Sequence, residues 1–157
     1  MASTVSSLID RYAAGPEAVK QAVAGMSRVE QVARPIAGKW STLEVVCHLA
    51  DMEAVFAERM KRVIAEDGPK FFDADADRFA AALAYHQRDL SEELAVIENT
   101  RRQMTRILRS LSAADFERQG THSTAGPLTL EKLLANVTAH LAHHVPFILE
   151  KRRALGC

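Results

Sequence analysis

Three of the chain's six histidines fall inside one ten-residue stretch, TAHLAHHVPF, Thr138 to Phe147. Imidazole is the commonest side-chain ligand for later first-row metal ions, and two of them at i and i+4 on a helix can converge on one ion. An α-helix turns about 100° per residue. With His140 set at zero, His144 lies at about 40°, and Leu130, Leu133, Val137, Leu141 and Ile148 lie between about 20° and 100°. His140 and His144 therefore project toward the buried side. His143, at about −60°, groups with Asn136 and Lys132 on the outer side. The spacing is that of the HExxH zinc helix, but the residues read His-Leu-Ala-His-His. The glutamate that acts as base in that motif is missing, which excludes metalloprotease chemistry of that kind.

Two imidazoles do not complete a site, so a third ligand must come from another segment. His48, in STLEVVCHLADME, is the best placed. Val45, Leu49, Met52, Phe56 and Val63 lie about 40° to 100° from it, which again sets a histidine at the edge of an apolar stripe. Glu44 and Asp51 project beside it, and either carboxylate can accept the second ring N–H and fix the tautomer. Three neutral imidazoles with further positions open make a catalytic rather than a closed structural geometry. His122 and His143 are candidates for proton transfer or substrate contact, and Trp40 and Tyr85 for lining a pocket. The alternative at each position is a core histidine hydrogen-bonded to a neighbour, in a bundle that holds no ion.

The elements that must position these residues are helices. Ala, Leu, Glu and Arg dominate, no segment reads as a strand, and turn residues cluster in a few places. A first helical region runs from Ser3 or Thr4 to about Ser27, with Gly15-Pro16 as a break or restart. Ser41 and Glu44 form a capping box that opens a second helix ending at about Glu66, where EDGPK follows. Residues 67–88 form a long connection with a short helix inside it. A third helix follows Asp89, and Ser112 opens a brief turn. RQGTHSTAGPL reads as loop, and Thr129 opens the fourth helix, which ends near Arg153. Arg101, Arg102, Arg106 and Arg109 share the third helix with Glu92, Glu93 and Glu98 and read as a solvated face. Four long helices in a chain of 157 residues predict a single all-α domain, a four-helix bundle with long crossover connections.

Lys plus Arg balances Asp plus Glu at 20 each, so no net field draws nucleic acid or an anionic membrane. Of the two cysteines, Cys47 lies in a helical pattern and Cys157 ends the chain, which offers no disulfide framework. The N-terminus lacks the pattern of a secretory leader and no run is long enough to span a bilayer, so a cytoplasmic protein is expected. No Gly-rich phosphate loop is present, nor a serine or cysteine nucleophile with its base in view.

These residues also resemble a known family. GKWSTLEVVCHLADME is similar to the second-helix motif of the DinB-like (DinB/YfiT-like) superfamily of four-helix bundles, a group of candidate metalloenzymes. GPLTLEKLLANVTAHLAHH is similar to its fourth-helix motif, and His122 with Gly126 fits its connecting loop. The resemblance covers essentially the whole chain. It implies an up-down-down-up style of connection and a divalent ion held by His48, His140 and His144: zinc or nickel first, with iron or manganese as further candidates. It implies a small-molecule substrate, which for some members is a low-molecular-weight thiol, and a homodimer. The activity so implied is that of a thiol S-transferase or hydrolase acting on a small electrophile. The alternative is a non-catalytic metal-containing stress-response or dimerisation bundle. Where the family often has a short apolar pair and glutamine after the last histidine, this chain has Val145-Pro146-Phe147. Pro146 removes a helical N–H, so a kink is expected just beyond His144.

Overall fold

The computed structural model describes residues 2–157, with side chains from residue 4 onward. Four long helices make the bundle: α1 (Ala2–Val23), α3 (Thr42–Ala65), α5 (Leu90–Arg109) and α6 (Leu130–Leu155). Short helices α2 (Arg28–Val32) and α4 (Ala76–Ala82) lie in the connections. The α1 and α3 helices each pack against both α5 and α6. The chain's first two long helices thus face each other across the diagonal, and so do its last two.

Capping chemistry sets the helix starts. Ser41 accepts from the Glu44 N–H while the Glu44 carboxylate accepts from the Ser41 N–H, the reciprocal pair expected from the sequence. Asp89 caps α5 and Thr129 caps α6, each through its side-chain oxygen. The first helical region ends earlier than its composition suggested. The α1 helix stops at Val23, and Ser27 opens the separate α2 with a capping box of its own. Gly15-Pro16 does not break α1. Proline leaves the Tyr12 carbonyl without its helical donor, and the Arg101 side chain from α5 supplies one at 2.8 Å. A Cβ at Gly15 would lie 2.3 Å from that guanidinium nitrogen, so glycine is the residue that lets it in. The α6 helix likewise runs through Pro146 without interruption.

The absence of strands expected from the sequence is corrected. β1 (Lys70–Phe71), β2 (Gln119–His122) and β3 (Gly126–Thr129) form a small sheet, with β1 parallel to β2 and β2 antiparallel to β3. Pieces this short carry no readable alternation and owe their pairing to tertiary context. At Gly120 a Cβ would meet the Phe71 ring at 2.3 Å, so this close pairing depends on its lack of a side chain.

The apolar core divides into two sets along the bundle. One contains Ile9, Met60, Met104 and Leu133, the other Val23, Val46, Ile97 and Ile148. Between them runs a polar layer to which all four long helices contribute: Tyr12, Glu53, Arg101 and the Val137 carbonyl. A third apolar group, Leu43, Cys47 and Tyr85, forms where the 67–88 connection covers the outer side of α3. That cover explains why α3 is buried on nearly every side in its first half.

Candidate metal centre

His48 on α3 and His140 and His144 on α6 come together between these two adjacent helices, with ligand-capable atoms all within 4.8 Å of one another. The Nε2 atoms of His48 and His140 are 3.0 Å apart. The three ring centroids are separated by 4.9, 4.9 and 4.7 Å, each pair meeting edge to face. Imidazole nitrogens at about 2.0–2.1 Å from one tetrahedral ion would stand about 3.4 Å from each other. The observed cluster brackets that value, so small side-chain adjustments suffice.

The donor set fits an ion in its protonation as well. Burial, then the charges of His48 and His144, hold His140 far below its ordinary value, at about 3. Burial, then His48 and His143, hold His144 at about 4. His48 is also lowered by burial, against an opposing pull from Asp51 and Asp77. All three rings are therefore neutral near pH 7, the form in which a lone pair is free to coordinate. The Nδ1 atoms of His48 and His140 are buried without a hydrogen-bond partner among the described residues. The Nε2 atoms of these two rings are the ones that meet, so Nε2 is the nitrogen that would face an ion and Nδ1 points away from it.

Aromatic side chains flank the cluster, in which His140 and His144 are half-buried. The Trp40 ring lies 5.2 Å from His48 and 6.5 Å from Tyr85, and Phe56 lies 6.4 Å from His140. His143 is exposed, with its ring 5.1 Å from His144 and 5.2 Å from Phe147, outside the converging set. The two carboxylates expected beside His48 are engaged elsewhere. Glu44 is held by Arg34 and the Ser41 N–H. Asp51 takes a bidentate contact from Arg88, whose other edge is bound by Glu93. Neither accepts a proton from His48, which is why its Nδ1 stands alone. His122 is buried in the sheet, where its Nδ1 accepts from the Thr124 and Ala125 N–H groups at 3.2 Å and its Nε2 is 3.9 Å from Asp73. Its recorded partners all belong to the sheet region.

Sequence reasoning passed over the burial of Arg101 and Glu93 and the reach of Arg34 and Arg88. Arg101 is 1% exposed, not part of a solvated face, and Glu93 is buried too. Ile97, Met104 and Leu108 bracket Arg101 at helical spacing, the signal that could have placed it inside. Arg34 and Arg88 claim the two carboxylates from connections whose paths no local pattern reveals. Cys47 is buried with its thiol pushed up to about 12 by burial, then by Glu93, which agrees with its exclusion as a nucleophile.

Fold and site together define a four-helix bundle with a three-histidine cluster between two of its helices, a place where bundles build metal sites. The sequence profile of the DinB superfamily matches residues 11–148, and the chain belongs to that superfamily. YfiT of Bacillus subtilis is 30% identical over 142 residues, which cover 90% of this chain and 80% of YfiT. A relative from Geobacillus thermodenitrificans is 29% identical over 146 residues, covering 90% and 80%. Both bear names that assign them provisionally to the metal-dependent hydrolases. The solved structure of Bacillus subtilis YfiT, described as an unusual four-helix bundle topology, matches with a TM-score of 0.89 at 28% identity. It covers 97% of this chain and 87% of that one. The names of the relatives and the histidine cluster together support a divalent metal.

Proposed function

We propose that this protein is a metal-dependent enzyme of the hydrolase or thiol S-transferase type, in which His48, His140 and His144 hold one divalent ion and a small electrophile is the substrate. The observation that carries this reading is the convergence of three imidazoles, with ligand-capable atoms all within 4.8 Å of one another, in a cluster whose rings are kept neutral. When bound, a divalent ion supplies the charge that polarises an electrophile and acidifies a water or thiol. The imidazole donor set suits zinc and nickel, and iron or manganese less well.

The chain's own residues do the rest. Trp40 and Phe56 lend the cluster apolar flanks beside His48 and His140. Arg88 and Arg34 pair with Asp51 and Glu44, so neither carboxylate hydrogen-bonds a ring of the cluster. His143, exposed and in edge contact with His144, is the side chain placed to exchange protons with solvent. A reducing intracellular setting is consistent with two free cysteines, and among the described residues no helix is long and apolar enough to cross a membrane. A homodimer belongs to the same reading.

One observation favours a second reading, a metal-containing binding module without catalysis. The carboxylates nearest His48 in sequence are both paired with arginine, so no ready general base stands free beside the cluster. A screen of metal-loaded protein with water and low-molecular-weight thiols against model electrophiles separates the two. The enzyme reading expects turnover that His144→Ala abolishes. Silence of the wild type across both nucleophile classes overturns it in favour of the binding module.

A further inference from the structure

The α6 helix carries one more polar residue on the face that presents His140 and His144. At about 100° per residue, Lys151 falls at about 20° on the scale that puts His140 at zero and His144 at about 40°. It lies two turns beyond His144, and its direction is that of the two rings. Side chains on a helix lean toward its N-terminus, and this one does, with its Nζ donating to the Phe147 carbonyl at 3.1 Å, one turn back toward His144.

Lys151 is 3% exposed. An ammonium carries three donors, and one is used here, on a neutral carbonyl. Among the described residues, Lys151 has no ion pair. Glu150, its exposed neighbour, favours the charged form through space but forms no ion pair with it. Buried charges are ordinarily paired, as Arg101 is with Glu53 and Glu93 with Arg88, whereas Lys151 shares with Arg59 the condition of a buried cation bonded only to a carbonyl. Burial pulls the Lys151 amine below its ordinary value, and a second cation, Lys39, acts in the same direction. Lys39 is exposed and without a side-chain partner among the described residues. It directly precedes Trp40, whose ring covers His48. The charge of Lys151 is in turn felt at His144.

A lysine in a last helical turn can serve simply to offset the helix dipole. Arg152 and Arg153 already occupy that turn. Dipole compensation does not require desolvating the amine.

We propose that Lys151 binds an oxyanion group of the substrate, a carboxylate or a phosphate, while the reacting part of that molecule lies at the histidine cluster. The proposal rests on the enzyme reading above and deepens it by naming the substrate class. An incoming oxyanion supplies the ionic partner that Lys151 lacks.

Calorimetric titration of the full chain with succinate, its neutral counterpart succinamide and inorganic phosphate provides the test, using wild type, Lys151→Met and Lys151→Arg. The wild type should prefer succinate or phosphate to succinamide, and the stronger of the two identifies the kind of oxyanion. Lys151→Met should weaken that binding by about tenfold or more, and Lys151→Arg should restore most of it. The melting temperature of ligand-free Lys151→Met should equal or exceed that of wild type, since an unpaired buried cation has been replaced by an apolar chain of similar length. Anion affinity unchanged in Lys151→Met, or no preference for either anion over succinamide in the wild type, overturns the proposal. Metal content measured on the same samples reports separately on the cluster. A chain without metal that still loses anion binding in Lys151→Met would refute the metal reading and leave the oxyanion site standing.

Discussion

Two groups of buried polar side chains share helices α3 and α6, little more than a turn apart, and they are finished differently. In the first, Arg101 donates to Glu53 at 2.9 Å, to the Tyr12 carbonyl at 2.8 Å and to the Val137 carbonyl at 2.7 Å. Tyr12 donates its hydroxyl to the other Glu53 oxygen at 2.7 Å, and its ring lies 4.4 Å from the guanidinium. Each charge has its partner, and the network ties the four long helices together. In the second, three imidazoles lean on one another, two Nδ1 atoms have no partner, and the acids beside His48 are turned away by arginines. A bundle that satisfies the first group so fully does not leave the second open for want of polar residues. Three neutral rings whose ligand-capable atoms converge within 4.8 Å form a donor set that an ion from outside fits, which the closed network does not offer.

The largest effect should come from opening the closed network. Arg101→Met strands the Glu53 carboxylate and two carbonyls in the core, and should cost about 3–5 kcal/mol of unfolding free energy in urea titrations. Metal binding at the histidines should survive in whatever fraction remains folded. Gly15→Ala attacks the same network from outside, by placing a methyl where the guanidinium enters α1. It should cost about 1–3 kcal/mol in the same titration. His140→Leu should do the reverse in metal-free protein. Removing an orphaned buried nitrogen should leave stability unchanged or raise it by about 1 kcal/mol, while the stabilisation that added zinc gives the wild type disappears.

Acid should sharpen the contrast further. His140 and His144 are held at about 3 and about 4 by burial and by neighbouring imidazoles, below the ordinary histidine value. The unfolded chain therefore takes up these protons before the folded one does. Metal-free protein should have its full histidine contribution above about pH 6.5 and lose it progressively as the pH falls toward 4. Thermal melts across that range should show a shallower slope for His140→Gln with His144→Gln than for wild type. An equal slope would mean that burial does not hold these rings neutral. The smallest effect expected is from Glu44→Gln, which weakens a partly exposed pair with Arg34 and keeps the cap on α3. Its melting temperature should fall by no more than corresponds to about 1 kcal/mol.

Much of this was legible in the letters, for identifiable reasons. Helical periodicity alone picked out His48, His140 and His144, because each sits beside an apolar stripe on its own helix and the structure joins those stripes. Capping residues Ser41 and Thr129 marked two helix starts, since capping is a local interaction. What depends on distant segments was not legible. The fate of Glu44 and Asp51 is decided by Arg34 and Arg88, which reach them from connections. The strands at Lys70–Phe71, Gln119–His122 and Gly126–Thr129 exist only because they meet. Gly15-Pro16 looked like a break because the donor that repairs it, Arg101, lies 86 positions away and was itself read as solvated.

The central claim is that the open cluster is completed by a divalent ion. Elemental analysis of protein purified without an affinity tag tests it most directly, with wild type, His140→Ala combined with His144→Ala, and Glu44→Gln measured side by side. The account predicts about one ion per chain in wild type and Glu44→Gln and almost none in the double histidine variant. Metal far below one ion per chain in wild type after equilibration with zinc and nickel, or equal metal in the double variant, would contradict it.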